Sequence, residues 1–347
     1  MSATNDRIGV GVQMIQHYSN KGQKCWVLHH YNPTVKTGDC REVSNVDPFY
    51  GLSFKVGVAE NKNITYQSKM EDVHTYVANF AERLDWGYFA VFDGHAGKQT
   101  ARWCGNNLHT LLEQEIISNE ESVISTEVDM KDNLYKSFMK ADELISKENA
   151  GNSGSTAAVV VLLWENRGDA IPADTTDTNN TKGSYSVDFS NQHRMLYTAN
   201  VGDSRIVLYR NGEAYRLSYD HKASDINEIN RVRDSGGLIM KNRVNGILAV
   251  TRSLGDLYMK DLVVGKPFTT STVLGEYDEF MILACDGLWD VVSDGKACEA
   301  VKQSFRTSDD PEVAAKRLCQ LALDNSTTDN ITVMVVKFDN SIFKSND

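Results

Sequence analysis

Proline and paired cysteines are both scarce in this sequence. Only 5 prolines occur in 347 residues, whereas disordered chains are usually rich in proline and poor in apolar residues. Apolar residues make up 41% of the chain, which is enough for a sizeable core. The 6 cysteines include no Cys-x-x-Cys pair, which argues against a zinc ribbon or a thioredoxin-like motif. We therefore expect free thiols in a reducing compartment.

Long apolar runs and a surplus of basic residues are also absent. No run of about 18 apolar residues appears and no secretory hydrophobic region opens the chain, so we expect a soluble protein without a membrane partner. Lysine and arginine number 36 against 47 acidic residues, which argues against nucleic acid as a partner. No zipper or apolar patch is evident, so we expect a monomer. An acidic chain also repels a phosphorylated substrate unless cations are held at the site.

The pattern of apolar residues divides the chain into three regions. Residues 1–53 are polar with scattered aromatic residues, and they form either a partly ordered arm, a short extra element or a disordered extension. Residues 54–338 are the main domain, and 339–347 are a tail. Within the domain, residues 165–193 are rich in Asp, Thr, Asn, Ser and Gly, which is typical of a flexible insertion in a hairpin. A partner-binding loop is the alternative there.

Apolar periodicity predicts both strands and helices in the main domain. Strands are expected at 54–58, 86–92, 156–164, 195–201, 205–209, 280–285 and 331–338. Helices are expected after 97, around 134–145 and 224–235, and near 295–305 and 311–323. Antiparallel strands combined with pairs of helices favour stacked layers of the α+β class.

Carboxylates cluster at the tips of the predicted strands. They are Glu71 and Asp72 after the first strand region, Asp93 after the second, Asp203 between two strands, Asp286 and Asp290 after another, and Asp329 before the last. A buried carboxylate without compensation is costly, so a cluster of them requires a cation. Oxygen ligands alone suit Mg²⁺ or Mn²⁺. Two such ions could share one carboxylate and lower the pKa of a bridging water.

The segment 93–97, Asp-Gly-His-Ala-Gly, is the most informative of these sites. A lone Asp-Gly is usually a turn, but this one follows a buried strand and leads into a helix. His95 on its own would more often be a surface or capping residue. Two residues from a predicted ligand, it becomes a candidate general acid for the leaving alkoxide.

Eight ordered segments resemble those of the type 2C, metal-dependent phosphoprotein phosphatases. They are MEDVH at 70–74, FAVFDGHAG at 89–97, GNSGSTAA at 151–158, TANVGDSR at 198–205, YDHKAS at 219–224, RVNGILAVTRSLGD at 243–256, LACDGLWDV at 283–291 and TTDNITVMVV at 327–336. The resemblance spans about 54–338. Within the family, the chain is most similar to the small fungal type 2C enzyme that restrains stress-activated mitogen-activated protein kinase cascades.

The resemblance implies a central β-sandwich of two antiparallel sheets flanked by pairs of α-helices, in four layers. It also implies a site for two Mg²⁺ or Mn²⁺ ions at one end of the sandwich. Asp93 would bridge both ions, the Gly94 carbonyl would bind one, and Asp286 and Asp329 the other.

Further roles follow from the same resemblance. Glu71 and Asp72 would act directly or through waters, and Asp203 and Asp290 would support a third, weaker ion. His95 would protonate the departing serine or threonine oxygen. The cleft would be shaped by Thr156, Asn330 and the segment 243–246, with a substrate-selecting flap at about 221–252.

One departure from the family concerns the substrate phosphate. The family usually has arginine four residues before the glutamate of Met-Glu-Asp, and this chain has Gln67, which has no charge and no guanidinium fork. If the segment is extended, Lys69 points to the same face and partly substitutes for the arginine. Phosphate binding is then weaker but not absent. A second departure, Ala223 in place of a common proline, is expected to affect only the loop.

These features predict hydrolysis of phosphoserine and phosphothreonine in proteins. The expected substrates include protein kinases of a stress-activated cascade, in the cytoplasm and also the nucleus. One alternative is a catalytically impaired scaffold of the same fold that binds kinase-pathway proteins. Such relatives typically lose metal carboxylates, whereas Asp93, Asp286 and Asp329 are present here. A phosphoesterase for small molecules is the other alternative.

Overall fold

The computed structural model describes residues 51–122, 129–148, 151–166 and 192–343, together with Phe49 and two strands near the start of the chain. Most of the predicted extension at 1–53 and of the predicted insertion at 165–193 lies outside the described residues. Residues 344–347 of the predicted tail also lie outside them. What we predict for those segments stays a prediction.

Two antiparallel sheets form the centre of the molecule. The first contains, in spatial order, β15 (Phe268–Val273), β9 (Gln192–Val201), β8 (Ala157–Asn166), β5 (Gly87–Phe92), β4 (Val73–Ala78), β1 (Val12–Tyr18) and β2 (Lys24–His30). The second contains β11 (Glu213–Arg216), β10 (Arg205–Arg210), β16 (Asp278–Ala284), β17 (Ile331–Phe338) and β3 (Phe54–Asn61). Strands β8 and β9 pair as the hairpin predicted on either side of the insertion.

Helices cover the outer face of each sheet. The first sheet is covered by α1 (Gln99–Ser122) and α2 (Met130–Lys147), and the second by α5 (Asp294–Phe305) and α6 (Pro311–Asp324). Side chains of β5 alternate between the two sides: Tyr88 packs under the helices and Phe89 packs between the sheets. Both faces of this strand are therefore buried, which explains its continuous apolar run. The predicted four-layer α+β sandwich is confirmed.

Smaller elements lie around one end of the sandwich. They are the strands β6 (Gly94–His95), β7 (Gly154–Ser155), β12 (Ile239–Met240), β13 (Arg243–Val244) and β14 (Leu254–Gly255), and the helices α3 (Ile226–Asp234) and α4 (Asp286–Trp289). Short 3-10 turns occupy Phe80–Glu82, Leu257–Met259 and Asn340–Phe343. Among the described helices, none is both long enough and apolar enough to cross a membrane.

Strand β4 is the main element that the sequence pattern does not predict. It begins at Val73, so Glu71 and Asp72 lie before a strand rather than at the tip of the preceding one. The strand pairs with β5 along its length, with Val73 opposite Phe92. This pairing brings the start of β4 next to the end of β5, where Asp93 follows. Glu71 and Asp72 therefore still lie near Asp93, although they precede a strand instead of following one.

A flap formed by α3, β12 and β13 packs around a small core of its own that includes Val232, Val244 and Met259. Glu228 ties this flap together, because its carboxylate accepts hydrogen bonds from Arg252, Arg231 and Thr251. Burial alone would raise the pKa of Glu228, but the hydrogen bond and charge of Arg252 outweigh it and lower that pKa to about 2. The flap is therefore held by a buried charge network.

The buried imidazole of His221, at the start of the flap, should make the protein less stable in acid. Burial lowers the pKa of His221 from 6.5 to about 4, while its Nδ1 donates to the Gly202 carbonyl. The unfolded chain therefore binds the proton more readily, and stability falls as the pH drops from about 6.5 to about 4. Over that range we expect the wild type to lose about 3 kcal/mol more than His221→Gln. Urea unfolding of both proteins at several pH values in chelator measures the difference, and parallel pH curves would contradict this assignment.

Candidate metal centre

Asp93 lies immediately after β5, at the end of the sandwich where β6 and β7 meet. Two hydrogen bonds fix its backbone: the Thr156 N–H donates to the Asp93 carbonyl at 2.9 Å, and the Asp93 N–H donates to Thr156 Oγ1 at 3.3 Å. Thr156 Oγ1 also lies 2.6 Å from Ser204 Oγ. The resemblance gave Thr156 a role in shaping the cleft, and its observed contacts hold the Asp93 backbone.

Asp93 shares its surroundings with Asp72 and Cys285. One ligand atom from each of the three residues lies within 4.8 Å of the others. The Asp72 carboxylate accepts a hydrogen bond from Thr332 Oγ1 at 2.8 Å. Burial raises the pKa of Asp72 to about 7, even though the hydrogen bond from Thr332 opposes the shift. Residues on β17 and before β4 therefore converge on the end of β5.

Three more carboxylates act on this cluster. Burial, followed by the charges of Asp72, Asp286, Asp203 and Asp329, raises the pKa of Asp93 well above its usual value. Asp286, at the start of α4, has a raised pKa for the same reasons, and its Oδ1 is buried with no hydrogen-bond partner among the described residues. Carboxylates that repel one another and leave a buried oxygen unpartnered need a positive charge between them.

This donor set fits a divalent cation. The carboxylates supply hard oxygen ligands of the kind that Mg²⁺ and Mn²⁺ prefer. The Cys285 thiol is already engaged, since the Thr332 N–H donates to its sulfur at 3.2 Å. Burial raises the pKa of the Cys285 thiol well above its usual range, which keeps it neutral and a poor ligand. The residues present therefore suit an all-oxygen cation site.

Asp203 and Asp290 lie on one side of the cluster, together with Lys222. The Lys222 ammonium lies 2.5 Å from Asp290 Oδ1 and 3.5 Å from Asp203 Oδ2. Asp203 is buried, whereas the side chain of Asp290 is 54% exposed. Burial raises the pKa of Asp203, although the Lys222 charge opposes the shift. Sequence reasoning gave Lys222 no part in the site, although it belongs to the segment YDHKAS.

Backbone and amide contacts hold Glu71 and Gly94 at the cluster. A Cβ at Gly94 would lie 2.6 Å from the Glu71 carbonyl oxygen, so this close approach requires glycine. Asn330 Oδ1 accepts from the Glu71 N–H at 2.9 Å. The Asn330 amide donates to the carbonyls of Lys62 and Lys69. Asn330 thus fastens the segment 62–71 to the start of β17.

Gln67 lies beside Asp329. Its side-chain amide donates to the Thr328 carbonyl at 3.0 Å and to Asp329 Oδ1 at 3.2 Å. The segment is not extended, because turns occupy residues 64–66, bends occupy 68–69 and the Gln67 N–H donates to the Asn63 carbonyl. The alternation that would place Lys69 on the same face as Gln67 is therefore absent. Lys69 is exposed, and its role at the phosphate stays a prediction.

A substitution tests the phosphate hypothesis. Gln67→Arg should lower KM for a phosphothreonine peptide about fivefold, because a charged hydrogen bond contributes about 1 kcal/mol more than a neutral one. Gln67→Met, which keeps the length and removes the donor, is the matched control and should not lower KM. If Gln67→Arg leaves KM unchanged and Lys69→Ala does the same, the hypothesis for both residues is wrong.

His95 lies in β6, next to the carboxylates. Its Nε2 donates to Asp256 Oδ2 at 2.7 Å. Asp256 is fully buried and ends the segment 243–256, one of the eight that carry the family resemblance. Both residues lie in or next to two-residue strands, His95 in β6 and Asp256 after β14, and no sequence pattern predicts their contact. The structure thus brings Asp72, Asp93, Asp203, Asp286 and Asp329 together, with His95 and Asp290 at the margin.

Comparisons with known proteins show the family of this chain. A family model described as protein phosphatase 2C matches residues 56–331. The protein phosphatase 2C homolog 1 of Saccharomyces cerevisiae is 56% identical over 287 residues, covering 83% of this chain and 94% of that protein. The homolog 1 of Schizosaccharomyces pombe is 41% identical over 301 residues, covering 86% and 77%.

A solved structure is similar in fold. The crystal structure of a phosphatase from Toxoplasma gondii superposes with a TM-score of 0.64 at 22% sequence identity, covering 83% of this chain and 94% of that one. At this identity the likeness concerns the fold alone. Together with the family model and the two fungal relatives, it leads to one conclusion: this chain belongs to the protein phosphatase 2C family of metal-dependent serine/threonine phosphatases.

Proposed function

We propose that this chain hydrolyses phosphoserine and phosphothreonine in proteins at a pair of Mg²⁺ or Mn²⁺ ions that share Asp93. The observation that carries the proposal is the convergence of Asp72, Asp203, Asp286 and Asp329 on Asp93. Burial and mutual repulsion raise the pKa of Asp93 and of Asp286, and among the described residues Lys222 is the one cation paired with this cluster, at its Asp203 side. When bound, the two ions supply a low-pKa water as nucleophile and positive charge for the phosphate.

The residues of the chain have distinct parts in this proposal. Asp93 would hold both ions, the Gly94 carbonyl one of them, and Asp286 and Asp329 the other. Asp72 would orient a ligand water, because one of its oxygens is already bonded to Thr332.

The remaining predicted residues complete the site. Glu71 would act beside Asp72, directly or through water. Asp203 and Asp290 would hold a third, weaker ion, which would have to displace the Lys222 ammonium. His95 would donate a proton to the departing oxygen, and Gln67 would offer its amide to the phosphate.

We also propose that the substrates include protein kinases of a stress-activated cascade, which the chain would inactivate in the cytoplasm and the nucleus as a monomer. The support is the resemblance to the small fungal enzymes and the 56% identity to a fungal relative over most of both chains. A doubly phosphorylated activation-loop peptide tests the chemistry: phosphothreonine should be released and phosphotyrosine retained.

Phosphate release from a phosphothreonine peptide tests the proposed activity. Wild-type protein should release phosphate with Mg²⁺ or Mn²⁺ and none in excess chelator, and readdition of the metal should restore release. A folded protein that releases nothing at any metal concentration would favour the scaffold alternative. Gln67, the departure from the family pattern, would then be the first residue to exchange.

A further inference from the structure

The contact between His95 and Asp256 is built by several features of the fold. His95 Nε2 lies 2.7 Å from Asp256 Oδ2, and the Ser253 hydroxyl donates to the same oxygen. The Asp256 side chain is fully buried, whereas that of His95 is 27% exposed. One end of the pair is thus fixed in the interior, and the other end is partly exposed, two residues after Asp93.

The surrounding backbone is shaped around this pair. Strands β6, β7 and β14 form a three-stranded sheet in which Gly154 lies opposite both His95 and Gly255. A Cβ at Gly154 would lie 2.1 Å from Asp256 Oδ2 and 2.3 Å from His95 Nε2. Only glycine allows the two side chains to meet there.

Asp256 itself adopts a backbone conformation that is costly for a residue with a side chain. Its φ of 50° and ψ of 45° lie in the left-handed region. Its N–H donates to the Ser153 carbonyl at 3.2 Å, which holds the strained turn in place. Strained residues of this kind persist where the surrounding structure determines them, and they concentrate at functional sites.

The contact leaves one ring nitrogen of His95 available for another partner. Nε2 is engaged with Asp256, and no described residue forms a hydrogen bond with Nδ1. We propose that Asp256 is a positioning residue that presents Nδ1 of His95 to the departing serine or threonine oxygen, an inference that rests on the proposed phosphatase function. As the P–O bond breaks, the Nδ1 proton moves to that oxygen and the ring keeps the Nε2 proton donated to Asp256.

A comparison of leaving groups separates positioning from a purely structural role. Loss of general acid catalysis slows a reaction by about 10²–10⁴-fold. Asp256→Asn should therefore lower kcat for a phosphothreonine peptide by about tenfold to a hundredfold. The same variant should lower kcat for p-nitrophenyl phosphate less than about threefold, because nitrophenolate leaves without a proton. His95→Gln should give the same split, and the double variant should be little worse than His95→Gln alone.

Ser253→Ala is the second variant, in case Asp256→Asn fails to fold. It keeps the carboxylate and removes one of its hydrogen-bond donors. We therefore expect kcat for the phosphothreonine peptide to fall about twofold to fivefold, and kcat for p-nitrophenyl phosphate to fall less. Equal losses on both substrates, or additive losses in the double variant, would overturn the inference. A wild type without metal-dependent release on either substrate would instead count against the proposed function.

A spectroscopic measurement tests the contact without any activity. In metal-free protein labelled with ¹⁵N-histidine, the wild type should show His95 with its Nε2–H in a strong hydrogen bond to Asp256, whether or not Nδ1 carries a proton. Asp256→Asn should weaken or remove that Nε2–H signal, and the signals of His221 should not change. A wild-type His95 that carries its proton on Nδ1 alone would contradict the assignment.

Discussion

Asp93→Asn should reduce phosphate release by about a thousandfold or more. Charge stabilisation by metal ions contributes several kcal/mol, and each 1.36 kcal/mol is a factor of ten in rate. The substitution keeps the size of the side chain but replaces a carboxylate that is surrounded by four others with a neutral amide. The measurement is steady-state release from a phosphothreonine peptide across a range of Mn²⁺ concentrations.

The matched control is Asp290→Asn, which makes the same chemical change at an exposed position paired with Lys222. We expect it to lower activity no more than about tenfold, because Asp290 would hold only the third, weaker ion and not the pair that shares Asp93. In chelator, Asp93→Asn should be at least as resistant to urea as the wild type, since one of several repelling charges is removed. Full activity in Asp93→Asn, or a loss explained by unfolding, would contradict the role of Asp93.

Asp85→Ala should destabilise the protein by about 3–5 kcal/mol, because it leaves a buried guanidinium unpaired. Arg194 is almost fully buried and lies 3.2 Å from Asp85 Oδ2. Burial lowers the pKa of Arg194 to about 10, and the Asp85 charge opposes that shift. The Asp85 carboxylate also accepts hydrogen bonds from Ser53 N–H, Ser53 Oγ and Trp164 Nε1. Urea unfolding in chelator measures the loss.

The double variant Asp85→Ala, Arg194→Met isolates the charge effect. Removing both partners should recover about half of the stability lost in Asp85→Ala, because no unpaired charge then remains. Asp85 precedes β5 and Asp93 follows it, so the two lie about 25 Å apart along the strand. Activity per folded molecule should therefore be unchanged. A double variant as unstable as Asp85→Ala alone would show that packing, rather than charge, accounts for the loss.

The sequence predicts much of this fold because its strands are buried on both faces. The runs that form the centres of β5, β8, β16 and β17 are largely apolar, and the helices show their apolar faces at regular spacing. Strand β15, in contrast, reads Phe-Thr-Thr-Ser-Thr-Val and is largely exposed at the edge of its sheet, so no apolar pattern marks it. Two-residue strands such as β6 and β7 are too short for any periodicity.

The candidate site also has some residues that the sequence pattern predicts and others that it does not. Carboxylates next to apolar runs could be found, because the sequence places them at the ends of buried strands. The partners of His95 and Gln67 could not, since Asp256 and Asp329 are brought to them by long-range folding. The turn at 64–69 is also decided by a local hydrogen bond rather than by alternation, which is why the premise for Lys69 fails. Contacts between residues that are far apart in the sequence can be identified only from the structure.

The measurement that tests the central claim most directly is an anomalous diffraction experiment on crystals grown without metal and soaked in Mn²⁺. We expect two strong peaks about 3.5–4 Å apart, each about 2.0–2.3 Å from an Asp93 oxygen, with Asp286 and Asp329 beside one of them. A single peak, or two peaks that do not share Asp93, would contradict the claim that this carboxylate cluster is built to hold a pair of divalent cations.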